Sequence, residues 1–348
     1  MGVGNLNGQG RGEHKVVFLT ERSPRHQEDA LNAAPPGLRV SMLRQPKEQV
    51  LLREVADAEF LVSERAGEID AELIAAAPNL RLIQRLGSLV YDIDLAAAQR
   101  AGVMVCLWPV LGCVMVAEHM VMQMLALAKR LPETSAIAQE AADWGRPSRR
   151  TDENVFAYNW SGRTNIGGLF GQTIGILGFG EIGAELARRL QFFAPRGVLY
   201  NKRRPLPAHV EAELGITYAT RNEIIAASDF LCVLLPYTAE TDLSINEQTF
   251  AAMKPGAFVV HCGSGSVIDE SALAAAIQSG HLAGAALDTY EWEPLRPDNP
   301  LVALARDPSA NVLLTPHTAA GTLPGGRTGD WANIQRVLAG EEPLYRVV

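Results

Sequence analysis

The chain of 348 residues is poor in the features that mark secreted, membrane-spanning or nucleic-acid-binding proteins. It has four cysteines, Cys106, Cys113, Cys232 and Cys262, none in C-x-x-C spacing and each in or beside an apolar segment. That excludes a disulfide scaffold and leads us to expect buried free thiols in a reducing, cytoplasmic setting. No apolar run reaches the ~18 residues of a membrane span. The opening, MGVGNLNGQGRGEH, lacks the apolar centre of a secretory signal and reads as a mobile tail over residues 1–13. Cations do not dominate: Lys and Arg number 31 against 39 Asp and Glu, a net charge of −8, which argues against a nucleic-acid surface. The seven histidines are scattered without ligand spacing, so no metal site is expected.

What is present is a pattern of alternation. Hydrophobic residues make up 47% and charged residues 20%, enough to build the cores of two domains. The runs KVVFLT, LRVSML, AEFLVSE, LRLIQRLG and GVMVCLW alternate with helical stretches at 47–56 and 70–77, which predicts a parallel sheet covered on both faces. VMVAEHMVMQMLALAKRL, residues 114–131, is apolar nearly all round and predicts a buried helix, set between the domains. Its Glu118 and His119 are either functional or a hydrogen-bonded interior pair. Residues 132–170, with Trp144 and Trp160, read as a long surface connection. Strand and helix alternate again from Gln172 to about residue 315, and DWANIQRVLAG forms a closing helix that packs back on the first domain.

QTIGILGFGEIGAELARRL holds Gly178, Gly180 and Gly183 as G-x-G-x-x-G between a strand and an amphipathic helix. The first glycine allows a tight turn, the second a close approach to a pyrophosphate, and the third close helix packing. Phe179, Glu181 and Ile182 complete the turn, whose helix N-terminus faces the phosphates. The next strand, GVLYN, ends at Asn201, where an acidic residue would hold the ribose of NAD. Asn201 is followed by Lys202, Arg203 and Arg204, which favours NADP over NAD, the alternative being a solvated basic turn.

Later strands of the same sheet end in loops at Pro236, Asp288 and His317, with Glu293 five residues beyond Asp288. These loops share one sheet edge, so Glu293 and His317 can meet, or remain two unrelated surface residues. A carboxylate bonded to one imidazole nitrogen orients the ring and favours its cation, which makes a general acid for a carbonyl oxygen and a base for the reverse step. The strand ending VVHC runs into Gly263, Ser264, Gly265 and Ser266, a loop in a catalytic location that carries no charge.

The segments QRLGSLVYDIDLAAAQRAGV, VAEHMVMQMLALAKRL, GQTIGILGFGEIG, LLPYTAETDLSIN, MKPGAFVVHCGSGSVIDESAL, GAALDTYEWEPL and NVLLTPH resemble, in order, the D-2-hydroxyacid dehydrogenase family. The resemblance covers residues 80–317. It implies an α/β fold of two doubly wound parallel-sheet domains: a flavodoxin-like substrate domain (14–113 plus 318–348) and a Rossmann dinucleotide-binding domain (114–317). The active site would lie in the cleft, in a homodimer that transfers hydride between a nicotinamide and a 2-oxo or 2-hydroxy acid. It further implies His317 as acid/base and Glu293 as its partner, with Asp288 at the nicotinamide amide. Leu235, Pro236, Thr241, Cys262 and Gly263 would line the cofactor cleft. Gly87, Ser88 and Leu89 would hold the substrate carboxylate through their N–H groups, although the family more often has a second glycine at Leu89.

The larger departure is at Ser264, where the family's pattern N-T-A-R-G-G-x-V-D-E places the arginine that grips the substrate carboxylate. A charge-assisted hydrogen bond contributes about 1.5–3 kcal/mol and losing such a partner costs about 2–5 kcal/mol, a range of roughly ten- to several-thousand-fold in rate. Three readings follow. Another cation substitutes, with Arg85 and Arg327 as candidates that are otherwise structural. Alternatively the substrate lacks the adjacent carboxylate, the small loop leaving room for a bulkier group and Ser264 or His261 donating a hydrogen bond. In the third reading the chain is a non-enzymatic or catalytically impaired NADP-binding protein of the same fold. Cys262 is read as a packing residue.

Overall fold

The computed structural model describes residues 13–64, 67–142, 145, 147–322 and 326–348; residues 1–12 of the expected tail and Trp144 lie outside them. The chain divides into two compact units, one formed by residues up to Leu111 and from Thr322 onward, the other by Gly112–Gly321.

The first unit alternates β1 (His14–Thr20), α1 (Pro24–Asn32), β2 (Leu38–Arg44), α2 (Glu48–Val55) and β3 (Phe60–Ser63). It continues with α3 (Ala71–Ala75), β4 (Leu82–Leu86), α4 (Leu95–Ala101) and β5 (Met104–Trp108). All pairings are parallel, in the order β2-β1-β3-β4-β5. Strands covered on both faces are mostly apolar, and β3 and β4 are buried from end to end, with Ser63, Gln84 and Arg85 as their buried polar residues. Asp70 and Asp94 start their helices by accepting the amides of Leu73 and Ala97. The chain returns to this unit through a last helix, Ala332–Leu338. Trp331 ahead of it is fully buried, tilted against Phe18 at 5.5 Å, with its indole N–H donating to the Ala30 carbonyl at 3.1 Å.

The second unit opens with α5 (Leu111–Ala128) and α6 (Leu131–Glu140), followed by irregular chain to residue 172. Then come β6 (Thr173–Leu177), α7 (Glu181–Leu190), β7 (Gly197–Asn201), α8 (Ala208–Leu214), β8 (Thr217–Tyr218), α9 (Arg221–Ala227) and β9 (Phe230–Val233). The unit closes with α10 (Glu247–Ala252), β10 (Phe258–His261), α11 (Glu270–Gln278), β11 (Gly284–Leu287), α12 (Pro300–Ala305) and β12 (Val312–Leu314). Its seven strands are parallel in the order β12-β11-β10-β9-β6-β7-β8. The strand order reverses between β6 and β9, and in such sheets the crevice at that switch point takes the ligand.

Two sequence expectations need correction here. The helix expected over 114–131 stops at Ala128, and half of α5 is buried; Met122 on its other side is 41% exposed. By length and composition α5 passes the test for a membrane span, but its buried residues place it as a core helix of its own unit. The chain turns at Arg130 (φ +46°) into α6, inside the stretch read as an irregular connection. Pro132 hides that helix in the sequence, yet in a first turn its missing N–H removes no helical bond. Glu133 then ties α6 to Arg130 and to Arg163 of the connection.

Trp331→Ala is expected to destabilise the first unit by about 3–5 kcal/mol, read as a lowered urea midpoint. An unchanged midpoint would show that the returning segment contributes little to that unit.

Candidate active site

Strand β6 runs directly into Gly178, whose φ of +87° favours glycine. A Cβ there would stand 2.6 Å from the Leu234 carbonyl oxygen, so the turn can press on the loop after β9 only without a side chain. Gly180 is the N-cap of α7, supplies no capping side chain, and has open space where a Cβ would point. The first-turn N–H groups, beginning at Glu181 and Ile182, therefore keep the orphan donors and positive dipole end that suit an anion. Gly183 leaves room for the Phe179 ring, which lies 4.8 Å from Tyr200. This cradle fits the pyrophosphate of a dinucleotide. At the end of β7, Asn201 donates its amide to the Ala219 carbonyl at 2.9 Å, Lys202 is half-buried, and Arg203 and Arg204 are exposed. Leu235, Pro236 and Thr241 occupy the loop after β9, where Thr241 Oγ1 donates to the Pro236 carbonyl at 2.7 Å.

Further along the same carboxyl edge, His317 Nδ1 and Glu293 Oε2 are 2.7 Å apart. The other carboxylate oxygen of Glu293 accepts the Tyr290 amide at 3.1 Å. Tyr290 is buried, and its hydroxyl reaches the Leu287 and Thr315 carbonyls at 3.1 and 2.9 Å, tying the ends of β11 and β12 together. With Nδ1 given to Glu293, Nε2 is the nitrogen left to hold or release a proton. His317 adopts φ +53°, uncommon for a residue with a side chain. The two amides after it, of Thr318 and Ala319, donate to Asp288 at 3.0 and 2.8 Å, and Thr315 Oγ1 adds a third bond at 2.6 Å. Asp288 is 1% exposed and spends its oxygens on the loop that carries His317.

The uncharged loop after β10 is held by its own backbone. Ser264 N donates to the Leu235 carbonyl at 3.0 Å, and Ser264 Oγ accepts the Tyr237 amide at 2.9 Å. A Cβ on Gly263 would lie 2.8 Å from the Leu235 oxygen, and one on Gly265 only 1.8 Å from the Tyr290 oxygen. The small residues thus admit neighbouring backbone, and the expectation of room for a bulkier substrate group at Gly265 is corrected. His261 is corrected as well. It is fully buried with Nδ1 3.3 Å from the Val233 carbonyl. Burial pushes its pKa down to about 4 against the pull of nearby carbonyls, Asp288 and Glu293. It is a neutral interior imidazole. Cys262 donates its thiol to Gln123 Oε1 at 3.3 Å, and burial raises its pKa, which keeps it protonated.

Glu118 and His119, adjacent in sequence, part company. Glu118 pairs with Arg189 at 3.1 Å, whereas His119 Nε2 lies 3.1 Å from Thr315 Oγ1. Thr315 and Tyr290 were not singled out from the sequence. The only sign of them is their position at strand ends, two residues before His317 and three before Glu293.

In the first unit Gly87 has φ +130°, and its amide donates to the Trp108 carbonyl at 2.9 Å. That N–H is therefore not available to a carboxylate, which narrows the expected loop to Ser88 and Leu89, the latter with its side chain buried. Arg85 is fully buried and bonded to Asp92 at 2.6 Å. Arg327 is held by Glu64 and Asp330 and lies over the Phe18 ring. Both arginines considered as substitutes for the one missing at Ser264 are thus committed within their own unit.

A pyrophosphate cradle at a sheet switch point, with an imidazole–carboxylate pair on the same edge, defines a Rossmann dinucleotide-binding protein equipped for acid–base chemistry. Residues 121–319 match the family model described as D-isomer specific 2-hydroxyacid dehydrogenase, NAD binding domain. A glyoxylate reductase of Thermococcus kodakarensis is 33% identical over 317 residues, 90% of this chain and 89% of that protein. A D-3-phosphoglycerate dehydrogenase of Archaeoglobus fulgidus is 35% identical over 288 residues, 82% of this chain. The match spans about half the length of that dehydrogenase. The crystal structure of a glyoxylate reductase from Paecilomyes thermophila superposes with a TM-score of 0.52 at 25% identity, covering 96% of this chain and 98% of that one. The chain belongs to the D-isomer specific 2-hydroxyacid dehydrogenase family.

Gly265→Ala forces a methyl group into the Tyr290 carbonyl. It is expected to cost about 3 kcal/mol, at the upper end of overpacking, with a lowered Tm in calorimetry. A Tm within a degree of wild type would mean that the two loops are not in that contact.

Proposed function

We propose that the chain is an NADP-preferring oxidoreductase acting on a 2-oxo or 2-hydroxy acid or a related carbonyl, with His317 as acid/base. The observation that carries this reading is the 2.7 Å bond between Glu293 and His317 on the edge that also bears the glycine cradle. The nicotinamide, when bound, donates or accepts the hydride. The chain does the rest. Gly178, Gly180 and the first turn of α7 bind the pyrophosphate. Asn201, Lys202, Arg203 and Arg204 offer donors and positive charge to a 2′-phosphate without the repulsion of a carboxylate. Glu293 orients the imidazole so that Nε2 gives its proton to the carbonyl oxygen in reduction and takes it back in oxidation.

Ser264 supplies no cation, and its hydroxyl is engaged by the Tyr237 amide. The substrate is therefore one that does not depend on an arginine from this loop. One observation favours a second reading, an NADP-binding protein with impaired turnover: Arg85 and Arg327 are both locked in ion pairs.

The test is oxidation of NADPH and of NADH over a panel of glyoxylate, other 2-oxo acids and simple aldehydes. Turnover is expected with at least one member and with a lower KM for NADPH. His317→Ala is expected to lower kcat about 10²- to 10⁴-fold. Activity that survives His317→Ala would sink the acid/base assignment. Silence of wild type together with turnover by Ser264→Arg on 2-oxo acids would decide for the impaired reading.

We further propose a cytoplasmic homodimer. The setting is supported by four free, buried cysteines. The dimer is supported by Phe156, Tyr158 and Phe170, which are 72%, 85% and 81% exposed on the connection after α6. Light scattering is expected to give twice the chain mass, and Phe156→Ser with Tyr158→Ser to shift it toward the monomer. A wild-type monomer at micromolar concentration overturns the dimer.

A further inference from the structure

His119, partly buried on α5, has one nitrogen, Nε2, within 3.1 Å of Thr315 Oγ1 and 3.8 Å of Asp288 Oδ1. Thr315 has one hydroxyl proton, and Asp288 Oδ1 takes it at 2.6 Å. Turning that proton toward His119 would set two oxygen lone pairs against each other at 2.6 Å, one of them on a buried carboxylate. Nε2 of His119 must therefore carry a hydrogen and donate. The bonds then run in one direction: His119 Nε2–H to Thr315 Oγ, Thr315 Oγ–H to Asp288 Oδ1. Asp288 in turn receives the amides of Thr318 and Ala319, the two residues that follow His317.

We propose that His119 is a positioning residue for His317, acting through Thr315 and Asp288 as a neutral Nε2–H imidazole. The proposal rests on the reading of His317 as the acid/base group. Without the His119 donor, the Thr315 hydroxyl is free to turn from Asp288 toward the Leu287 carbonyl, 3.4 Å away. Asp288 then loses a bond, and its grip on the left-handed turn at His317 loosens. Burial holds the His119 pKa down, opposed by Asp288, the charged group that faces it across the contact. Glu118 on the same helix is engaged outward by Arg189.

Two readouts need no substrate. Long-range ¹H–¹⁵N correlation on the wild-type imidazoles is expected to show the Nε2–H tautomer for His119 at pH 7; the Nδ1–H tautomer overturns the proposal. His119→Leu is expected to speed hydrogen exchange at the Thr318 and Ala319 amides at least tenfold relative to amides of β10. It is also expected to lower kcat about 10- to 100-fold with the NADPH KM within twofold. His119→Gln, which returns an N–H donor near the same place, is expected to recover at least half of both losses on a logarithmic scale. Unchanged exchange in the leucine variant, or equal damage by leucine and glutamine, overturns the proposal. If no carbonyl is turned over, the function falls, and tautomer and exchange still decide the role of His119. If turnover is present and His119→Leu does not alter kcat, the positioning role alone fails.

Discussion

A carboxylate taken out of water must find donors within the chain, because an unpaired buried charge costs several kcal/mol. Asp288 meets that demand with the hydroxyl of Thr315 and the amides of Thr318 and Ala319. All three lie within four residues of His317, so the bonds that solvate the carboxylate also fold the turn that presents the imidazole. Glu293 bonds the ring itself and is oriented by the Tyr290 amide. Two carboxylates that follow β11 thus hold the loop after β12 that carries His317.

Around this pair the loops are packed backbone to backbone. Gly178 lies on the Leu234 carbonyl, Gly263 on that of Leu235, and Gly265 on that of Tyr290. Each contact depends on a missing side chain, and together they join the ends of β6, β9, β10 and β11 into one continuous surface. This explains why a loop in a catalytic position carries small residues. It also explains why Ser264 does not stand in for an arginine: its hydroxyl closes the seam between two loops. The bonded pair of Glu293 and His317 is in place, while this loop carries no cation.

Much of this was legible before any coordinates. Parallel strands of sheets covered on both faces are written mostly in apolar residues, so β1 to β7 and β9 to β12 announce themselves. The G-x-G-x-x-G turn declared the ligand edge because strand, glycine and helix occur in register. The pair of Glu293 and His317 could be suspected because both follow strands of one sheet. The helix α6 was hidden by Pro132 and a thin apolar face, and the expected helix through residue 131 overran the turn at Arg130. His261 was misjudged because strand alternation says only that a side chain points to a face, not that the face is closed over it.

Composition, periodicity and motif order by themselves determined the α/β class, the two sheets, the dinucleotide cradle and the family. These depend on local chain geometry and on which residues are apolar, and both are written along the sequence. Tertiary structure alone decided the hydrogen-bond partners: Glu118 turned outward and His119 inward, Gly87's amide spent on Trp108, Arg85 and Arg327 locked in ion pairs, and Ser264 joined to Tyr237. The reason is that a polar group's role is set by the partner that reaches it once water is excluded, and most of those partners stand tens to hundreds of residues away.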